Sequence, residues 1–240
     1  MIINYGSVQV TIQDDPNVTG WFEDEAEIRE SYWQPRRGDI VADIGCHIGA
    51  YTVPALVAGA RVYAIDPSEY YLRVLTGICI ANDLNGQLFT VNEALAGAGG
   101  YDQEFREALD AAPYPEHHAP ASASYTTLDE LAQRFGWERL DWVKIDTEGA
   151  ELGILQGGTE TLTRFSPRLV IEDHTDVYQF VADMNSRERC TELLSRLGYS
   201  VQLVTYAGHL TPDRVFMVGT PVTERLENGR NYGPAVGRGY

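Results

Sequence analysis

The chain has 240 residues, 44% of them hydrophobic, and a formal net charge of −17. That is ample apolar material for one sizeable core, and too acidic a balance for a broad grip on nucleic acid or anionic membrane. Its three cysteines, Cys46, Cys79 and Cys190, lie far apart with no CxxC spacing, which suggests neither a disulfide framework nor a zinc knuckle and predicts a reducing, cytoplasmic setting.

In chain order, alternation predicts a strand over 3–12 and a helix over 25–32, and neither a basic leader nor a run of ~18 apolar residues accompanies them. No export and no membrane partner are expected. The stretch GDIVADIGCHIGAYTVP, 38–54, reads as a buried strand, a glycine-punctuated turn and a helix over 48–58. Strands over 61–65, 87–92, 141–145 and 168–172 then alternate with helices over 69–82, 128–135, 150–164 and 187–197. Such alternation predicts an α/β doubly wound, mostly parallel sheet. The last two strands, 200–205 and 214–218, are joined too tightly for a parallel crossover, so they form a hairpin and one strand is antiparallel. Residues 97–125, rich in Gly, Ala and Pro and carrying His117 and His118, read as a long excursion or lid. The domain reading is an N-terminal arm or cap (1–37), a main domain (38–219) and a Gly-rich tail (220–240).

The first strand ends in Asp43, and Gly45 and Gly49 follow in a DxGxxxG pattern. A dinucleotide site calls for GxGxxG; wider spacing with a carboxylate suits a cationic amino group better than a pyrophosphate. S-adenosylmethionine carries such an amino group and no phosphate. Asp66 ends the next strand, placing a second carboxylate at the same sheet edge.

The blocks ADIGCHIGAYT, YAIDPS, YTTLDEL and VKIDTEGAELGIL resemble, in that order, those of S-adenosylmethionine-dependent methyltransferases of the FkbM family. The resemblance implies a class I, Rossmann-like seven-stranded fold over about residues 38–173 and S-adenosylmethionine as cofactor. It also implies roles: Asp43 for the methionine amino group, Gly45 and Gly49 for room beside the methionine portion, and Asp66 for both ribose hydroxyls. His47 stands where Asn is common in such turns and supplies a polar side chain. Asn92 and Glu93 lie where the adenine is usually flanked.

Asp146 is expected to end the fourth parallel strand, and Glu172 with Asp173 the fifth. Three carboxylates converging on one crevice need a proton or a cation, and Mg²⁺ is the natural hard ion. This set resembles the metal site of catechol-type and macrolide-sugar O-methyltransferases, except that Gly149 stands where those families often carry a Lys or His base. The general-base candidates are then His174, read as a neutral imidazole, and Glu148. Lys144 shares a strand face with Asp146 and is expected to pair with one of the acids. Glu151 reads as an acid stabilised by a helix N-terminus.

The expected function is therefore an O-methyltransferase acting on a small-molecule hydroxyl of a sugar or of a glycosylated or polyketide natural product. Alternatives are a nucleic-acid or other N-methyltransferase, and a non-catalytic S-adenosylmethionine-binding protein. No nucleic-acid partner is expected, and a homo-oligomer is left open.

Overall fold

The computed structural model describes residues 1–12, 20, 22–23, 26–97, 123–176, 186–206 and 214–222. The excursion's 98–122, with His117 and His118, and the tail beyond Val222 lie outside them.

The chain opens with β1 (Ile2–Tyr5) and β2 (Val8–Thr11), paired antiparallel. The single strand expected over 3–12 is thus a hairpin, turned at Gly6, whose φ is +61°, a value L side chains rarely adopt. Helix α1 (Ala26–Tyr32) follows. The alternating part comprises β3 (Ile40–Ile44), α2 (Thr52–Val57), β4 (Arg61–Ile65), α3 (Glu69–Ala81), β5 (Leu88–Val91), β6 (Ala94–Leu95), β7 (Tyr125–Thr126) and α4 (Leu128–Arg134). It continues through β8 (Trp142–Ile145), α5 (Glu151–Gln156), α6 (Thr159–Phe165), β9 (Arg168–Asp173), α7 (Ser186–Arg196), β10 (Tyr199–Tyr206) and β11 (Arg214–Pro221).

Seven strands form one sheet in the order β10-β11-β9-β8-β3-β4-β5. β5, β4, β3, β8 and β9 are mutually parallel, and β11 runs antiparallel to both of its neighbours. Both faces are covered, which is why the central strands read as near-continuous apolar runs. Val41, Val62, Trp142, Val170 and Phe216 face a core shared with α2, α3 and the N-terminal hairpin. Ala42, Tyr63, Val143, Leu169 and Met217 face the core under α4 to α7. The period of two along each strand therefore also decides on which face each charged residue lies.

Local signals explain the helix bounds. Thr127 caps α4 in a reciprocal box with Glu130, satisfying two backbone donors at the helix start. The helix expected over 150–164 is broken into α5 and α6 at Gly157 and Gly158. A Cβ on Gly157 would stand 2.4 Å from the Ala96 carbonyl oxygen, so the short β6–β7 pair can lie against this corner only because the side chain is missing. No helix among the described residues is long and apolar enough to cross a membrane.

Candidate active site

The carboxyl ends of β3, β4, β8 and β9 meet along one edge, where an open α/β sheet offers a crevice. On one side, Asp43 is fully buried. Its Oδ2 accepts the Thr52 hydroxyl proton at 2.6 Å, tying the strand end to the first residue of α2, while its Oδ1 has no hydrogen-bond partner among the described residues. Burial raises the Asp43 pKa; the Lys144 charge and the Thr52 bond pull the other way.

Asp66, one residue past β4, is organised by backbone. The Ser68 N–H donates to Oδ1 at 2.8 Å and the His47 N–H to Oδ2 at 3.0 Å. Each oxygen keeps further acceptor capacity. Burial lifts its pKa to about 6, against the lowering effect of those two bonds. His47 adopts a left-handed φ of +48°, a conformation in which Asn, Asp and His are enriched. Its backbone thus explains the residue type at this position, and its ring meets Tyr71 edge-on at 4.1 Å. Asn92 donates through Nδ2 to the Asp66 carbonyl at 3.1 Å, fixing the β5 end against the β4 end. Glu93 lies beside it, ion-paired to Arg134, with Arg134 Nη2 3.3 Å from Oε1.

The turn itself is tight. Gly45 has φ +72° and Gly49 φ +98°. A side chain on Gly49 would stand 2.4 Å from Leu75 Cδ1, so α3 closes on the turn.

The other side of the crevice is built on β8 and β9. Lys144, 3% exposed, places Nζ 2.6 Å from Asp146 Oδ2 and 4.8 Å from the centre of the Tyr51 ring. Asp146 Oδ1 lies 3.7 Å from His174 Nε2, and Glu148 Oε2 lies 3.3 Å from the same nitrogen. Asp146 and Glu148 keep 24% and 25% of their side chains exposed, so this group opens on solvent. His174 is buried, and its Nδ1 donates to Glu151 Oε1 at 2.9 Å, a direction fixed by the acceptor-only carboxylate. Glu151 also accepts the Gly149 N–H at 3.0 Å. Glu172 pairs with Arg214 at 3.3 Å, with His174 Nε2 at 3.8 Å.

Burial by itself would lower the His174 pKa, but Glu151, Glu148 and Glu172 outweigh it and raise it well above 6.5. The neutral imidazole base expected from the sequence is therefore a cation at neutral pH in this structure. Partial desolvation likewise opposes the Asp146 charge, yet Lys144 and His174 hold its pKa below the ordinary carboxylate range.

One expected member does not join the group. Glu172 and Asp173 are consecutive in β9, so their side chains leave opposite faces. Asp173 turns away to Arg187 on α7 and accepts the Thr175 N–H at 3.1 Å. The expected metal set of Asp146, Glu172 and Asp173 is thus not brought together. Ligand atoms of Asp146, Glu148 and His174 do converge, within 4.8 Å of one another. The sequence reading undervalued Glu151, which its helix-start position marked only as a macrodipole partner, and it did not identify Arg214, whose place beside Glu172 depends on the β9–β11 register. Tyr51, the platform under Lys144, was also missed.

The family model Methyltransferase FkbM domain matches residues 43–201. By structure, the chain is similar to a methyltransferase FkbM from Methylobacillus flagellatus KT, with a TM-score of 0.54 and 15% identity, covering 82% of this chain and 47% of that one. It is also similar to an O-methyltransferase from Bacillus cereus in complex with SAH (TM-score 0.51, 13% identity, 75% and 73% covered). An rRNA methylase from Streptococcus thermophilus is a third (TM-score 0.50, 13% identity, 88% and 99% covered). At these identities the likeness is one of fold. No curated protein matches the sequence. With the family model spanning well over half of a chain whose sheet carries the expected turn, the protein belongs to the FkbM methyltransferase domain family and is an S-adenosylmethionine-dependent methyltransferase of the class I, Rossmann-like fold.

Proposed function

We propose that this methyltransferase alkylates a hydroxyl of a small molecule, a sugar or a glycosylated or polyketide natural product. The observation that carries the reading is the polar group of Asp146, Glu148, Glu172 and His174 beside the donor turn, open to solvent at Asp146 and Glu148.

The chain's residues fit the donor. Asp43, a fully buried carboxylate with one oxygen unpaired among the described residues, matches an ammonium group. Asp66, held by two backbone N–H groups with acceptor capacity to spare, matches the ribose hydroxyls. Gly45 and Gly49 leave the two ends of the turn without side chains, and Asn92 stands at the neighbouring strand end for the adenine edge. Glu93 is the weaker contact, since Arg134 already takes its carboxylate.

S-adenosylmethionine supplies an electrophilic methyl on a sulfonium, so transfer to a hydroxyl releases one proton. Glu148 is the group suited to take that proton: it is ionisable, part-exposed and 3.3 Å from His174 Nε2. His174, cationic and anchored by Glu151, positions Glu148 and Asp146 and serves as a base only after losing its own proton. Asp146, oriented by Lys144, is the acceptor for a second substrate hydroxyl. Positioning of this kind accounts for much of the rate that such transfers gain.

Asp146, Glu148 and His174 would also hold a divalent cation in place of the His174 Nε2 proton, and the ion would lower the pKa of a bound hydroxyl. The two carboxylates suit Mg²⁺ or Mn²⁺, and the imidazole nitrogen suits Zn²⁺. The charge of −17 weighs against a nucleic-acid substrate. Three free, buried cysteines fit a reducing, cytoplasmic compartment.

A screen of sugar and natural-product hydroxyls with a labelled methyl donor tests the reading. Methyl ethers as products, lost in E148Q, support it; transfer to nitrogen, carbon or RNA in preference to any hydroxyl overturns it.

A further inference from the structure

We propose that Lys144 is a positioning residue shared by the two halves of the crevice, acting through Asp43 on recognition of the donor's ammonium group and through Asp146 on the acceptor edge. The proposal rests on the reading of Asp43 as the ammonium's partner.

The sequence V-K-I-D puts a lysine in a strand whose four residues are all buried. An ammonium group in such a place is costly unless it is paired. The strand register makes Lys144 the neighbour of Asp43: β3 and β8 run parallel with Asp43 opposite Lys144. The period of two puts both side chains on the face that also carries Val41 and Trp142. There Nζ sits over the Tyr51 ring at 4.8 Å and reaches Asp146 Oδ2 at 2.6 Å. Tyr51 is itself fixed, its ring edge-on to Trp33 at 5.5 Å and its carbonyl accepting the Trp33 indole N–H at 3.1 Å. The cation is therefore held in one position and not left to choose a carboxylate.

Asp43 needs that cation more than Asp146 does. It is completely buried, makes one side-chain hydrogen bond, and keeps an oxygen without a partner among the described residues. The charged or titratable groups acting around it are Lys144, Asp146, Asp66 and Cys46, and among these Lys144 alone is cationic. Without it, burial and the neighbouring carboxylates drive Asp43 to its neutral form. A neutral carboxyl meets an ammonium far less well than a carboxylate does. Donor binding would then have to expel a proton from Asp43, and affinity would depend on pH. Lys144 also repels the arriving ammonium, so at alkaline pH its removal costs nothing or helps. This pH-dependent sign separates the proposal from simple loss of packing.

The experiment is calorimetric titration of wild type, K144M, K144Q and K144R with two ligands over a range of about pH 6 to about pH 9. S-adenosylhomocysteine carries the amino acid head; 5′-methylthioadenosine carries the nucleoside and thioether without it. The expected result is a loss of about ten-fold in S-adenosylhomocysteine affinity for K144M and K144Q at the acid end, recovered at the alkaline end. Methylthioadenosine affinity should be unchanged, and K144R should follow wild type. K144Q keeps hydrogen-bond donors for Asp146 without the charge, so it remains informative if K144M does not fold. Equal losses for both ligands, or a wild-type pH profile in K144Q, would overturn the proposal. Failure of wild type to bind either ligand would instead remove the donor reading on which it rests.

Discussion

Gly45 lies directly against the backbone carbonyl of Asp146: a Cβ added to residue 45 would stand 1.7 Å from that oxygen. The donor turn and the end of the acceptor strand are thus a single packed unit, and the glycine is demanded both by this approach and by a φ of +72°. G45A should lower stability by at least about 2 kcal/mol, because neither the carbonyl nor the turn can yield cheaply. Urea unfolding with matched slopes checks this, and an unchanged midpoint would show that the two strand ends are not locked together.

Asp66 should make donor binding pH-dependent. Its carboxyl titrates near pH 6 because it is buried, and below that value the protonated form loses acceptor capacity for ribose hydroxyls. S-adenosylhomocysteine affinity should fall as pH drops through about 6, and D66N should bind weakly without that dependence. A raised pKa also means that the folded state keeps a proton the unfolded chain has already lost. Stability attributable to this group therefore declines as pH rises from the ordinary value of 3.8 to about 6. Denaturant melts of wild type and D66N across that window measure the difference.

His174 gives the same stability sign in a higher pH window. Its folded pKa lies well above 6.5 because Glu151, Glu148 and Glu172 surround it. The stabilisation is fully present below the unfolded value of about 6.5 and is lost as pH rises through the folded value. In the presence of a chelator, the melting temperature of wild type should fall over that alkaline range more steeply than that of H174Q. Parallel curves would mean that the ring is neutral in the folded protein.

Mn²⁺ binding tests the alternative cation for the same group. Paramagnetic resonance should detect one bound ion per chain, lost in E148Q and in H174Q. D173N should retain the ion, since Asp173 pairs with Arg187 and Thr175 outside the group. An ion that depends on Asp173 and not on Glu148 would restore the metal set read from the sequence.

Much of the fold was legible because strands and helices alternate with clear periods, and because the tight 206–214 connection forces a hairpin. The breaks were less legible. Apolar spacing continues through Gly157 and Gly158, so only the approach of the Ala96 carbonyl reveals why α5 and α6 separate. In the site, Asp43, Asp66 and Asp146 were readable as acids at strand ends. The period of two could already have separated Glu172 from Asp173. Glu151 was not readable: an acid at a helix start looks the same whether it answers the macrodipole or holds a histidine. Arg214 meets Glu172 through strand pairing between distant segments, which no local pattern encodes.

We propose that S-adenosylmethionine is held at the β3 and β4 ends through Asp43 and Asp66. Calorimetry of wild type and D66A with S-adenosylhomocysteine at neutral pH tests it most directly. Saturable binding at one ligand per chain is expected, weakened about ten-fold or more in a folded D66A variant. A folded wild-type protein that does not bind, or a D66A variant that binds equally well, would contradict it.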